Sequence, residues 1–111
     1  MQPRELAVRL PVDVWELSGD DRAKRLRDVF EVYLNHEDSD FPFEILLTRN
    51  GSIDRTGKID VAVVSAVDSP GSLVVTLALS YRTKCEAGTY EDSRNLTLRI
   101  SGAHGGVQLS P

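Results

Sequence analysis

Between residues 73 and 83, Leu73, Val75, Leu77, Leu79 and Tyr81 fill alternate positions, and Val74, Thr76, Ala78, Ser80 and Arg82 fill the rest. Wound into a helix, those apolar side chains would be scattered around the axis. Extended as a strand, they all point to one side. A strand with one greasy face is unstable alone, so the rest of the chain must supply neighbours and a cover for that face.

Neighbours are easy to find. Leu6, Val8, Leu10, Val12 and Val14 share one parity over residues 6–14, with Arg9, Pro11 and Asp13 on the other. Pro11 has no backbone donor, which places this strand at a sheet edge or a bulge. Phe41, Phe43, Ile45 and Leu47 alternate in the same way. Ile59, Val61, Val63 and Val67 form the odd face of a strand over 58–67, and Leu96, Leu98 and Ile100 alternate with Thr97, Arg99 and Ser101. After the polar loop that precedes Leu96, the glycine-rich tail 102–111 reads as a mobile end in which Val107 and Leu109 can add a last short strand.

The cover comes from the one segment with a different period. Ala23, Leu26, Phe30 and Tyr33 recur at helical spacing, flanked by Val29 and Leu34, which predicts a helix over 19–35. Ser18 and Asp21 form a capping-box variant, and Asp20 and Asp21 suit the positive helix end. Asp21–Arg25, Lys24–Asp28 and Arg27–Glu31 are opposite charges four apart on the exposed side. At 1.5 Å per residue the helix is roughly 25 Å long, enough to cross several strands.

Asn50-Gly51 is the strongest turn signal, with a second turn at Asp54–Gly57 and a third over Asp68–Ser72. Short connections favour antiparallel neighbours, so the last four strands form a meander. The expected architecture is a single α+β domain over 1–111, two-layered, with one helix across a curved antiparallel sheet in the order β-α-β-β-β-β. That element order resembles cystatin-like folds, with a compact hotdog as the near alternative. The chain carries no cystatin glutamine–valine loop.

Composition narrows the function classes. In 111 residues, 41% apolar content supports one core, and a net charge of −4 disfavours nonspecific attraction to nucleic acid or anionic membranes. Cys85 is the only cysteine, the N-terminus has no apolar leader-like run, and no stretch is long and apolar enough to span a bilayer. These features point to a cytoplasmic protein without disulfides.

The most chemical-looking stretch is LNHEDSDFPF, residues 34–43. A calcium loop starting at Asp38 would need Asp or Asn at 42 and Gly at 43, where the chain has Pro42 and Phe43. His36 lacks the second histidine four residues away that a zinc helix uses. The segment reads as a helix exit, with His36 favoured at the negative helix end. Cys85 could pair with His104 or His36 as a nucleophile, but nothing around it specifically activates a thiol. GAHGG fits neither dinucleotide nor P-loop spacing. Arg22, Lys24, Arg25 and Arg27 lie among acids without interleaved aromatics, as on a salt-bridged helix face.

No catalytic residue, metal ligand or cofactor is assigned. The informative feature is the sheet face away from the helix: Asp60, Ala62, Val64 and Ala66 on one strand, and Val74, Thr76, Ala78, Ser80 and Arg82 on the next. These side chains are mostly small and semi-apolar, unlike the long charges of an ordinary solvated face. The expectation is a non-enzymatic protein-binding module of inhibitor, immunity or adaptor type, with a protein partner, basic in charge, or a second copy on this face. Its contact residues would be Thr76, Ser80, Arg82 and Trp15, the last either an anchor or a cover for the helix start, with Asp60, Glu37, Asp38 and Asp40 as rim charges. The alternatives are a ligand-binding or acid–base enzyme with a pocket between helix and sheet, and a subunit of a larger assembly.

Overall fold

The computed structural model describes residues 4–47, 51–101 and 106–109. Strands β1 (Arg4–Leu6), β2 (Ser52–Ile53), β3 (Asp60–Ser69), β4 (Ser72–Cys85), β5 (Gly88–Ser101) and β6 (Val107–Leu109) form one strongly curled antiparallel sheet. One helix, α1 (Gly19–Asn35), packs against it, and short 3-10 helices cover Val12–Trp15 and Phe43–Leu46. This is the expected α+β arrangement of one helix on a curved sheet. The meander runs β3-β4-β5-β6, and β1 pairs with β6 at the far edge. At the other edge, β4 pairs with β3 along Ser72–Ser80 and with β2 at Thr83 and Lys84.

The core is where parity placed it. Leu73, Val75, Leu77, Leu79 and Tyr81 of β4 are buried beside Leu96, Leu98 and Ile100 of β5 and Val107 of β6. Leu26, Phe30, Tyr33 and Leu34 of α1 close this layer from the other side. Burial at about 25 cal/mol per Å² of apolar surface makes this layer the main stabilising term of the fold.

Two expected strands are not strands. In 6–14, only the end at Leu6 is extended in the sheet; the chain then leaves it. The Ala7 amide is taken by the Asp40 carboxylate at 3.0 Å, the Val8 amide turns back to the Leu6 carbonyl, and Pro11 begins a 3-10 helix. Val14 is fully buried while Val12 is 84% exposed, so the apolar parity of this segment does not survive. The 41–47 stretch likewise forms a 3-10 helix, burying Phe41 and Leu46 instead of an alternating set. Conversely, the expected polar loop before Leu96 is mostly strand: β4 and β5 run on as a ladder to a tight turn at Glu86-Ala87.

Local details differ too. Ser18 is the helix N-cap, but its side chain makes no capping hydrogen bond. Arg25 pairs with Asp13, Arg27 with Asp28 and Glu31 with Lys58, not with their expected partners four residues away along the helix. Asn50, His104 and most of the GAHGG tail lie outside the described residues.

Candidate functional site

A β-bulge shapes the outer face. Val63 lies opposite Leu77 but Ser65 lies opposite Thr76, so Val64 is an extra residue in β3. One inserted residue inverts the parity beyond it. Ala66 therefore sits opposite the core residue Val75, and Val67 opposite Val74. This corrects the expected assignment, which had Ala66 outside and Val67 inside. Val67 is 58% exposed and Val64 57%.

The register then fixes the outer surface. Asp60, Ala62, Ser65 and Val67 of β3 share it with Val74, Thr76, Ala78, Ser80 and Arg82 of β4. On β5, Glu91, Ser93, Asn95, Thr97 and Arg99 lie opposite the same β4 residues. The Thr76 and Thr97 hydroxyls meet at 3.4 Å across the two strands. No described element lies over this face, whose centre is alanine, valine and threonine.

At one end the face dips into an open depression of about 570 Å³, where the β4 edge passes from β3 to β2. Lys58, Asp60, Ser80, Arg82, Glu91 and Ser93 line it. Lys58 reaches Glu31 at 2.7 Å, and Arg82 lies 3.8 Å from Glu91. The hydrogen bond to Glu31 and then its charge hold the Lys58 ammonium above the ordinary lysine range, with Asp60 adding to the effect. Opposite charges thus alternate across three strands beside two serine hydroxyls.

The expected contact residues fall into separate groups. Asp60, Thr76, Ser80 and Arg82 share the outer face, three of them at the depression. Trp15 is partly buried against the core, and its backbone carbonyl lies 3.5 Å from an Arg22 nitrogen at the helix start. Glu37 and Asp38 lie in the turn after α1, on the opposite layer. Asp40 accepts the Tyr33 hydroxyl on one oxygen and the Ala7 amide on the other. His36 ends α1, its Nδ1 accepting the Asp38 amide at 3.0 Å, as a helix exit requires.

One inward polar cluster lies in residues 88–95, within the stretch before Leu96 that the sequence presents as a polar loop. Tyr90, Asp92 and Arg94 share the face of β5 that continues into Leu96. Thr83 donates to Asp92 at 2.8 Å, the Tyr81 hydroxyl donates to the Leu46 carbonyl at 2.7 Å, and Arg94 donates to the Ile45 carbonyl. Burial, and next the Asp92 charge, push the Tyr81 phenol up. The sequence signal is the alternation of Tyr90, Asp92 and Arg94 along one strand, which carries no hydrophobic contrast. The cluster fastens the 43–46 helix to the sheet.

Among the described residues, no three His, Cys, Asp or Glu side chains are grouped to hold a metal ion, and no helix is long and apolar enough to cross a membrane. Comparison with known protein families, curated protein sequences and solved structures finds no match to this chain.

Proposed function

We propose that this chain is a non-enzymatic protein-binding module, of inhibitor, immunity or adaptor type, that docks a partner on the outer face of β3, β4 and β5. The observation that carries this reading is the exposure of Val64 and Val67 beside Val74, Ala62 and Ala78, on a face without a described cover. A surface of small apolar groups with charges at its ends has the anatomy of an interface, with a desolvated centre and a polar rim. Lys58, Asp60, Arg82 and Glu91 provide one rim and Arg99 the other. The net charge of −4 steers a basic protein partner toward the chain and repels nucleic acid. The lone cysteine fits a reducing cytoplasm.

The test is affinity capture from the native lysate with the wild-type chain and with the double variant Val67→Lys/Thr76→Glu. Both positions are on the outer face, so the melting temperature should hold. Capture of the partner seen with wild type should weaken at least about tenfold, equivalent to about 1.4 kcal/mol. Equal recovery by both proteins would remove the outer face from consideration.

A further inference from the structure

Two contacts fix which way the backbone groups of β5 point. The Ser101 amide donates to the Gly106 carbonyl at 2.8 Å, on the β6 side. Gly88 lies opposite Cys85 across a two-residue turn, a closing pair that exchanges hydrogen bonds with β4. Backbone groups alternate in direction along an antiparallel strand, so the odd residues of β5 face the β6 side and the even ones face β4. β6 lies opposite only Leu98, Arg99 and Ile100. The amides and carbonyls of Glu91, Ser93 and Asn95 therefore point past the end of β6, where no described strand pairs with them.

The other described edges offer little room. β1 and β2 are three and two residues long, and β3 carries the bulge at Val64 and packs against α1. Natural sheets blunt an open edge with lysine, proline or a bulge. β5 has no lysine or proline from Gly88 to Ser101, and its ladder with β4 runs through that span without a register shift. What it has is two charges, Asp92 and Arg94, on the inward face that continues into Leu96. Such charges exclude an ordinary apolar strand, which would bury them without a counter-charge.

We propose that the strand admitted at this edge is β5 of a second copy, antiparallel about a two-fold axis at Ser93, so that two sheets become one. Odd residues then oppose odd residues, Ser93 with Ser93 and Glu91 with Asn95, and each exchanges backbone hydrogen bonds with its opposite. Even residues fall at the closer positions between those bonds, Asp92 opposite Arg94 and Tyr90 opposite Leu96. Glu91, Asp92 and Arg94 are all the charges of residues 89–97, and none meets a like charge directly opposite. Sliding the register by two residues would set Asp92 on Asp92 or Arg94 on Arg94. Asp92 keeps the Thr83 hydroxyl and Arg94 keeps the Ile45 carbonyl on its Nη1, so neither side chain has to leave its present contact. The paired stretch from Tyr90 to Leu96 spans roughly 20 Å, so the contact is smaller than a standard interface and the dimer is reversible. The inference does not depend on the outer face binding anything.

The experiment is sedimentation velocity of the full chain over a range of concentrations, with amide exchange followed by NMR at both ends of that range. The wild-type mass should rise toward the dimer as concentration increases. The Glu91, Ser93 and Asn95 amides should exchange fast at the dilute end and become protected at the concentrated end, whereas the Asp92 and Arg94 amides, bonded to β4, should be slow at both. Ser93→Pro removes only an amide that points outward, so it should stay monomeric at every concentration with a melting temperature close to wild type. In a Cys85→Ser background, Glu91→Cys and Asn95→Cys should form a disulfide-linked dimer when mixed and oxidised but not separately, because each meets the other across the axis. A wild type that stays monomeric throughout overturns the proposal, as does a dimer that tolerates Ser93→Pro or leaves the three amides in fast exchange. Val67→Lys/Thr76→Glu should dimerise like wild type; loss of the dimer there would also overturn the proposal, placing the second copy on the sheet face instead.

Discussion

Arg22 in the first turns of α1 donates from one Nη1 to both carboxylate oxygens of Asp68, at 3.2 and 3.1 Å, joining the helix start to the end of β3. Its Nε donates to the Val14 carbonyl at 3.0 Å. One guanidinium therefore holds three parts of the chain that are distant in sequence. The two partners are unequal, because the Arg22 side chain is 11% exposed and that of Asp68 is 71%. Arg22→Met should cost about 2–3 kcal/mol, since it strands buried carbonyl oxygens. Asp68→Asn should cost about 1 kcal/mol or less, as for a largely solvated ion pair. Urea unfolding of both variants measures the asymmetry, and equal losses would contradict it.

The Asn35 side chain imitates a strand. Its Oδ1 accepts the Ile59 amide at 2.8 Å and its Nδ2 donates to the Ile59 carbonyl at 3.0 Å, tying the last turn of α1 to the entry of β3. Asn35→Asp keeps the acceptor but removes the donor, so it should destabilise nearly as much as Asn35→Ala, by about 1–2 kcal/mol. Thermal unfolding of the pair checks this. A silent Asn35→Asp would show that the amide donor contributes nothing.

What sequence reading recovered, and what it missed, follows from what hydrophobic parity can report. It located β3, β4, the second half of β5 and the buried stripe of α1, because each has one face in the core and one outside. It failed where the two faces are alike. Tyr90, Asp92 and Arg94 extend β5 with polar side chains on both sides, so no hydrophobic contrast marks this part of the strand. It also failed where apolar residues pack without a sheet: Leu10 and Phe43 line the core from coil and a 3-10 helix. The adjacent Val63 and Val64 break strict alternation at the bulge, but the expected regular strand over 58–67 passed over that break. The outer surface was legible as a class of surface, but its membership changed at Ala66 and Val67 with that single extra residue. Trp15 and the acids at 37–40 were grouped with that face because sequence order cannot say which layer a connection lies on.

Two glycines test backbone strain against close approach. Gly51 has φ +150°, and a Cβ there would lie 2.2 Å from the Lys84 carbonyl oxygen, where β2 pairs with β4. Gly71 has φ +73° in the turn after Pro70, with nothing within 4 Å of an added Cβ. Gly71→Ala should therefore cost only the conformational penalty, about 1 kcal/mol. Gly51→Ala must also push the strands apart and should lower the melting temperature well beyond that. Differential scanning calorimetry of the two variants measures the order, and its reversal would mean that β2 yields easily.

The acid and alkaline limits of stability should trace to different residues. The Asp54 carboxylate accepts the Thr56 hydroxyl first and the Thr56 amide second, with the Lys84 ammonium 3.6 Å away, and these contacts outweigh burial to hold it below the ordinary aspartate range. A carboxyl depressed in the folded state stabilises the fold above its unfolded value of about 3.9, and that contribution fades as pH falls through the lower folded value. Asp54→Ala should therefore be less stable than wild type at pH 7, with the gap narrowing below about pH 4. Tyr81 behaves in the opposite sense: burial raises its phenol, so its contribution is complete below the unfolded value of about 10 and is lost as pH climbs through the folded one. Tyr81→Phe loses the bond to the Leu46 carbonyl at pH 7, yet it should soften less than wild type on the alkaline side. Urea midpoints of the three proteins across pH decide it, and a Tyr81→Phe curve parallel to wild type above pH 10 would show that the phenol stays protonated there or ionises without strain.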